Sequence, residues 1–210
     1  VPDFTIVDHI PYRLDLQTWP YPKAGDANPT VRLGVVGAGG GAVTWMDPAQ
    51  HATDLLIVNV AWHPGGRSVF FQVQNREQSW LELKAGDRTT GASRTVLRET
   101  GPAWVNCGNL GCQDDESNPI WLRDGTFLWP SERNGWRHLY LYDDGGRLIR
   151  QVTSGRWEAR VVHGVDEARG WIYLSGTERS PIGRDVYRVK PDGSAFMRVS
   201  TTSRCSTSTV

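Results

Sequence analysis

Three stretches of this 210-residue chain repeat one order of parts, and that repetition limits the fold more than any other feature. They are AWHPGGRSVFFQVQNREQSWLELKAGD (61–87), IWLRDGTFLWPSERNGWRHLYLYDDGG (120–146) and VDEARGWIYLSGTERSPIGRDVYRVKPDGS (165–194). Each contains a turn glycine, at Gly66, Gly125 or Gly170, then an apolar strand and a polar corner with Arg76, Arg133 or Arg179. A second apolar strand and a second turn follow. One more strand trails each unit (RTVLRET, RLIRQVTSG, AFMRVST), and one precedes each turn (LLIVNVAW, NPIWL, ARVVHGV). The turn glycines lie 59 and 45 residues apart. Four short antiparallel strands repeating at this interval are the pattern of propeller blades.

The fold class expected is therefore all-β, a partial β-propeller of about three and a half four-stranded antiparallel blades. Blades are placed near 1–50, 51–100, 118–155 and 156–200, within one propeller fragment at 1–200, with an irregular tail at 201–210. PTVRLGVVGAGGGAVTWMD supplies a strand pair for the half blade. Helical periodicity is nearly absent; DPAQHATDLLI (47–57) reads equally as a short helix or as a loop running into a strand. Ten Trp, 23 Gly and 12 Pro fit short strands with tight turns. Blades cover one another on both faces, so inner strands are expected to be apolar on both sides. Trp136, His138, Tyr140 and Tyr142 are read as one core-facing stripe, with Leu139 and Leu141 on the other face.

Charge excludes little and favours nothing. Lys plus Arg equals Asp plus Glu at 23 each, giving no general attraction to nucleic acid or an anionic membrane. No apolar run approaches 18 residues, and VPDFTIVDHIPYRLD lacks the pattern of a secretory signal; the chain begins mid-pattern and without Met, as a fragment or processed form would. Cys107, Cys112 and Cys205 are too few for a disulfide scaffold. Cys107 and Cys112 flank CGNLGC and could pair in an oxidising compartment, or remain a reduced pair.

Candidate chemistry is sparse. His9, His51, His63, His138 and His163 show no ligand spacing, no G-x-S-x-G is present, and the cysteine pair lacks two further soft ligands for zinc. The reading calls for no catalytic residue, no metal site and no cofactor. In the insertion AWVNCGNLGCQDDESNP (103–119), Asp114, Asp115 and Glu116 form either a solvated acidic turn or a cation or amine contact. Glu132-Arg133 and Glu178-Arg179 recur at one blade position, which argues for structural corners in which Arg pairs with a carboxylate or caps carbonyls.

YPKAGDANPTVRLGVV (21–36), TWMD, AWVN, FLWPSERNGWRHLYLYD, QVTSGRWE and GVDEARGWIYLSGTERSP closely resemble, in order, the N-terminal propeller of dipeptidyl-peptidase IV-like serine peptidases of the prolyl oligopeptidase superfamily. The resemblance runs from about residue 1 to 199. It implies a non-catalytic propeller portion that gates access to, and helps bind peptides for, an α/β-hydrolase domain of the same parent chain. That domain, and the paired acidic residues that grip the substrate ammonium upstream of the YPKAG segment, lie outside this sequence. Carried over residue by residue, the resemblance reaches Trp104, Val105 and Asn106, and makes Asn106 a candidate substrate-binding contact. The partners implied are the hydrolase domain and a peptide substrate, with no nucleic acid. An incomplete ring also leaves two open blade faces, which are expected to drive homo-oligomer formation through exposed apolar surface. No compartment is assigned; a periplasmic or cell-envelope location is compatible with the resemblance. The competing readings are a free-standing propeller module binding protein or glycan through its tryptophans, and a glycosidase-type propeller using the 114–116 carboxylates. Coding sequence beyond Val210 with a G-x-S-x-G would decide for the peptidase.

Overall fold

The computed structural model describes residues 1–47, 54–106 and 119–200. Among them are sixteen strands and no helix. Three four-stranded meanders dominate, every neighbouring pair antiparallel. The first comprises β5 (Leu55–Trp62), β6 (Ser68–Asn75), β7 (Trp80–Asp87) and β8 (Ser93–Thr100). The second comprises β9 (Ile120–Trp121), β10 (Phe127–Ser131), β11 (His138–Tyr142) and β12 (Leu148–Gln151). The third comprises β13 (Ala159–Asp166), β14 (Trp171–Gly176), β15 (Asp185–Val189) and β16 (Met197–Arg198). Each sheet holds one sequence repeat with its flanking strands, so the four-stranded units expected from the sequence are present. Ahead of them lie two hairpins, β1 (Asp3–Asp8) with β2 (Asp15–Pro20), and β3 (Gly34–Val35) with β4 (Thr44–Trp45). The second hairpin is the strand pair expected in the half blade. Of 47–57, the residues from Leu55 on belong to β5, and 48–53 lie outside the described residues, as does the 201–210 tail.

The turns explain the repeat at atomic level. Gly66, Gly125 and Gly170 share positive φ (66°, 85° and 63°), a conformation in which any side chain is strained. Aspartates close the neighbouring turns by accepting backbone N–H groups. Asp124 takes Thr126 (3.0 Å), Asp143 takes Arg147 (2.8 Å), Asp166 takes Arg169 (3.0 Å) and Asp192 takes Ser194 (2.8 Å). These bonds favour the ionised carboxylate and hold each aspartate below its ordinary value: the Thr126 hydroxyl leads for Asp124, the Arg147 and Arg169 backbones for Asp143 and Asp166, and the Ser194 hydroxyl for Asp192. A depressed folded-state pKa stabilises above the unfolded value of about 3.9 and is lost as pH falls through the folded value. Thermal melts between pH 7 and pH 2 are therefore expected to lose stability steeply below about pH 4. A melting temperature unchanged down to the bottom of that range would show the turns do not depend on charge.

The core lies in the seams between sheets. Phe70, Leu81, Leu83 and Ala85 of the first sheet pack against Phe127, Trp129, Tyr140 and Tyr142 of the second. The opposite face of the second sheet, Leu128, Leu139 and Leu141, packs against Ile172, Leu174, Tyr187 and Val189 of the third. A smaller seam joins Phe71 and Val73 to Met46, with Leu33 and Val35 at its edge. Successive residues along one strand thus serve successive seams, as the pleat requires.

Four details depart from expectation. Trp136 is 38% exposed and precedes β11, because pairing begins only at Ser131↔His138 and the corner carries it outward. His138 is buried but tied to the following segment: its Nε2–H donates to the Gly155 carbonyl (3.0 Å), its Nδ1 meets the Thr153 hydroxyl (3.1 Å), and its ring lies edge-on to Trp157. Only Trp129 and Trp157 are fully wedged in seams, whereas Trp19, Trp45, Trp62, Trp104 and Trp136 are exposed. Nor are the inner strands wholly apolar, since Gln72, Gln74, Glu82 and Lys84 are buried.

Candidate functional site

The seam between the first two four-stranded sheets opens at one end into a cleft of about 180 Å³. Its walls come from the end of β8, the segment 100–106, and the corner between β10 and β11. The sequence folds this way because the β6–β7 turn reaches across to hold the segment after β8. The Gly101 amide donates to the Ser79 carbonyl (3.0 Å) and the Val105 amide to the Gln78 carbonyl (2.6 Å). Gln78 adopts φ 57°, unusual for a non-glycine residue. The buried Gln74 amide donates to the Val105 carbonyl at 2.8 Å, so the segment is anchored on both sides.

Glu99, at the end of β8, organises the base of the cleft. It accepts from the Trp129 indole (3.2 Å), the Ser131 hydroxyl (3.0 Å) and the Arg133 guanidinium, all on the neighbouring sheet. Arg133 also lies over the Tyr140 ring, 4.2 Å from its centroid. Burial works against the Arg133 charge, but Glu99 and Tyr142 outweigh it and hold the group above its ordinary value. Burial likewise raises Tyr140 and Tyr142, which stay neutral phenols. The base is therefore a charge-compensated latch between two sheets.

The rim holds the residues named from sequence. Trp104 is exposed, and the Asn106 side-chain amide donates to Glu132 Oε1 at 3.4 Å, across the mouth from one sheet's trailing segment to the other's corner. Val105, Asn106, Glu132 and Arg133 thus share one cleft. Arg76 at the equivalent corner of the first sheet pairs with Asp54 (2.7 Å), so two of the three corner arginines, Arg76 and Arg133, engage carboxylates. The Arg179 amide donates to the Tyr187 hydroxyl at 3.2 Å. Sequence reasoning passed over Glu99, which sits in RTVLRET with partners 30 to 34 positions away and no local signal to mark it. Cys107, Cys112, Asp114, Asp115, Glu116, His51 and Cys205 lie outside the described residues. Among the described residues no group of three or more metal-binding side chains is found. A second, more open hollow of about 450 Å³ lies at the other end of the same seam, where Arg94 donates to the Asp144 carbonyl (3.0 Å).

A family model described as the dipeptidyl peptidase IV (DPP IV) N-terminal region matches residues 1–209. The chain belongs to that family. Rat inactive dipeptidyl peptidase 10 is 31% identical over 188 residues, covering 83% of this chain and 23% of the relative. A probable dipeptidyl peptidase 4 from Aspergillus clavatus is 28% identical over 189 residues, covering 85% and 23%. Among solved structures, Porphyromonas gingivalis dipeptidyl peptidase 4 superposes with a TM-score of 0.82 at 24% identity, over 97% of this chain and 28% of that one. At that identity the likeness establishes the fold. The DPP IV N-terminal chain described here spans about a quarter of the length of these relatives. The partial propeller is thus the N-terminal region of a dipeptidyl peptidase IV-like protein.

Proposed function

We propose that the chain is the non-catalytic propeller portion of a dipeptidyl-peptidase IV-like serine exopeptidase. In this reading it gates access to an α/β-hydrolase domain of the same parent chain and helps bind the peptide. The observation that carries the reading is the family match over 1–209 in a chain that makes up about a quarter of its relatives. The matched names include both an inactive protein and probable peptidases, which is compatible with a propeller portion that carries no catalytic residue of its own.

The cleft supplies a local role. Asn106 and Glu132 meet across its mouth, presenting an amide and a carboxylate beside the exposed face of Trp104. An extended peptide offers main-chain N–H and C=O groups that suit this polar rim. In the full-length enzyme, Asn106→Ala is expected to lower kcat/KM by about 3- to 10-fold, the loss of one hydrogen bond. The loss should be larger for peptides long enough to reach the propeller than for dipeptide reporters. Identical kinetics for both substrate lengths would remove Asn106 from the binding surface.

The module reading draws on the exposed tryptophans, but these are scattered. Trp19 is on β2, Trp45 on β4, Trp62 on β5, Trp104 in the cleft rim and Trp136 in a corner. Trp45 is moreover covered by Arg32, 4.1 Å from its ring.

A further inference from the structure

The charges lining the cleft between the first two four-stranded sheets are not evenly matched. Among the described residues four charged side chains line it: Glu99, Glu132, Arg133 and Arg137. Glu99 and Arg133 neutralise each other at the base. Arg137 is engaged in an interaction of its own. Glu132 forms no ion pair among the described residues, and its carboxylate takes only the Asn106 amide there, at a long 3.4 Å. A carboxylate accepts about four hydrogen bonds, so most of that capacity is open at the mouth.

The corner explains why the adjacent base does not serve. The Arg133 amide and Nε both donate to the Ser131 hydroxyl (3.2 and 2.9 Å), and the guanidinium lies over Tyr140 and reaches Glu99. That geometry commits the cation to the neighbouring sheet and not to its chain neighbour Glu132. The Glu132 carbonyl accepts the Gly135 amide at 2.8 Å, which closes the turn and fixes the backbone that carries the carboxylate. The exposed indole of Trp104 lines the same cleft, and an aromatic face attracts cations as a carboxylate does. Residues 107–118, which follow Asn106, include three carboxylates and no lysine or arginine, so that segment brings no cationic side chain.

We propose that Glu132, with Trp104 and Asn106, recognises a cationic side chain, lysine or arginine, on the peptide that enters this cleft. The inference rests on the reading of the cleft as a peptide-binding surface and adds its charge preference. The ammonium or guanidinium pairs with the Glu132 carboxylate, and the methylene stem lies along the Trp104 indole. A volume of about 180 Å³ suits one such side chain. A neutral residue at that position forgoes the pair, and an acidic one meets a carboxylate with no counter-ion. Glu132 is thus a specificity-determining residue, and the Glu99–Arg133 pair beneath it keeps its charge uncompensated.

Pentapeptides that differ only by Lys, Gln or Glu at the third, fourth or fifth position test the proposal on the full-length protein. The readout is kcat/KM where the peptide is cleaved and the calorimetric Kd where it is not. At one of these positions the lysine peptide is expected to be favoured about 5- to 10-fold over the glutamine peptide, with the glutamate peptide weaker still. The preference should shrink towards unity as salt is raised. Glu132→Gln should bring the lysine and glutamine peptides level, Glu132→Lys should favour the glutamate peptide, and Glu132→Asp should keep part of the lysine preference. Melting temperatures of the three variants check folding. Equal values for Lys, Gln and Glu at all three positions, or a lysine preference that survives Glu132→Gln, would overturn the recognition. Failure of the underlying reading looks different: pentapeptides of every charge would then do no better than dipeptides, and the recognition would fall with the surface that carries it.

Discussion

Glu82→Leu is expected to destabilise the chain by about 3–5 kcal/mol, although the substitution makes a strand more apolar. Glu82 and Lys84 stand two apart on β7, on the face that also carries the smallest seam. Lys84 Nζ lies 3.0 Å from Glu82 Oε2 and 3.0 Å from the Thr95 hydroxyl, and only 2% of its side chain is exposed. Glu82 also accepts from Arg98 at 3.1 Å, but nearly half of the Arg98 side chain is in water. The asymmetry of that network sets the prediction. Without Glu82, the buried Lys84 loses the carboxylate it pairs with among the described residues, in a site where water cannot replace it. Without Lys84, Glu82 still has Arg98 and Thr95, so Lys84→Met should cost less. The double substitution Glu82→Leu, Lys84→Met removes both charges together and should recover most of the stability lost in Glu82→Leu alone. Urea denaturation of the three variants closes a double-mutant cycle, with an expected coupling of about 2 kcal/mol or more. Additive losses would mean that the pair is hydrated and contributes as a surface ion pair does.

The same pair shows where the sequence stops being informative. WLELKAGD alternates apolar and polar residues, which in an isolated sheet would send Glu82 and Lys84 to solvent. A propeller covers both faces, so the polar half of the alternation is buried and survives only by pairing across strands. Where the signal is local, the sequence is legible. LLIVNVAW coincides with β5, and the Asp-Gly and Asn-Gly turns fall where the sheets reverse, because glycine conformation and aspartate hydrogen bonding act within a few residues. Trp136 was misjudged because periodicity carried the β11 pattern back into a corner where pairing has not begun. The candidate cleft divides in the same way. Asn106 is singled out by family resemblance, and Arg133 by its recurring corner. Glu99 and the Asn106–Glu132 contact depend on two sheets meeting, and their partners are 26 to 34 residues distant. Spacing within one repeat cannot carry that information.

Gly146→Ala is expected to cost about 3 kcal/mol or more, against about 1 kcal/mol for Gly135→Ala, although both change one hydrogen to a methyl group in a turn. The two glycines share a backbone conformation, φ 92° and 82°, so the penalty for placing a side chain in the left-handed region is common to both. Their surroundings differ. A Cβ on Gly135 meets nothing within 4 Å, whereas one on Gly146 would lie 1.8 Å from the Val96 carbonyl oxygen and 2.7 Å from its carbon. Val96 belongs to β8 of the neighbouring sheet, and its carbonyl is backbone that no rotamer change can move. Alanine at 146 therefore has to part the two sheets where the β11–β12 turn rests on β8, loosening the seam that packs Phe127, Tyr140 and Tyr142 against Leu83 and Val96. Denaturant midpoints for the two variants, with the slope held constant, isolate the contact from the shared conformational cost. Equal midpoints would mean that the sheets separate freely there, and that side-chain burial alone sets the spacing between blades.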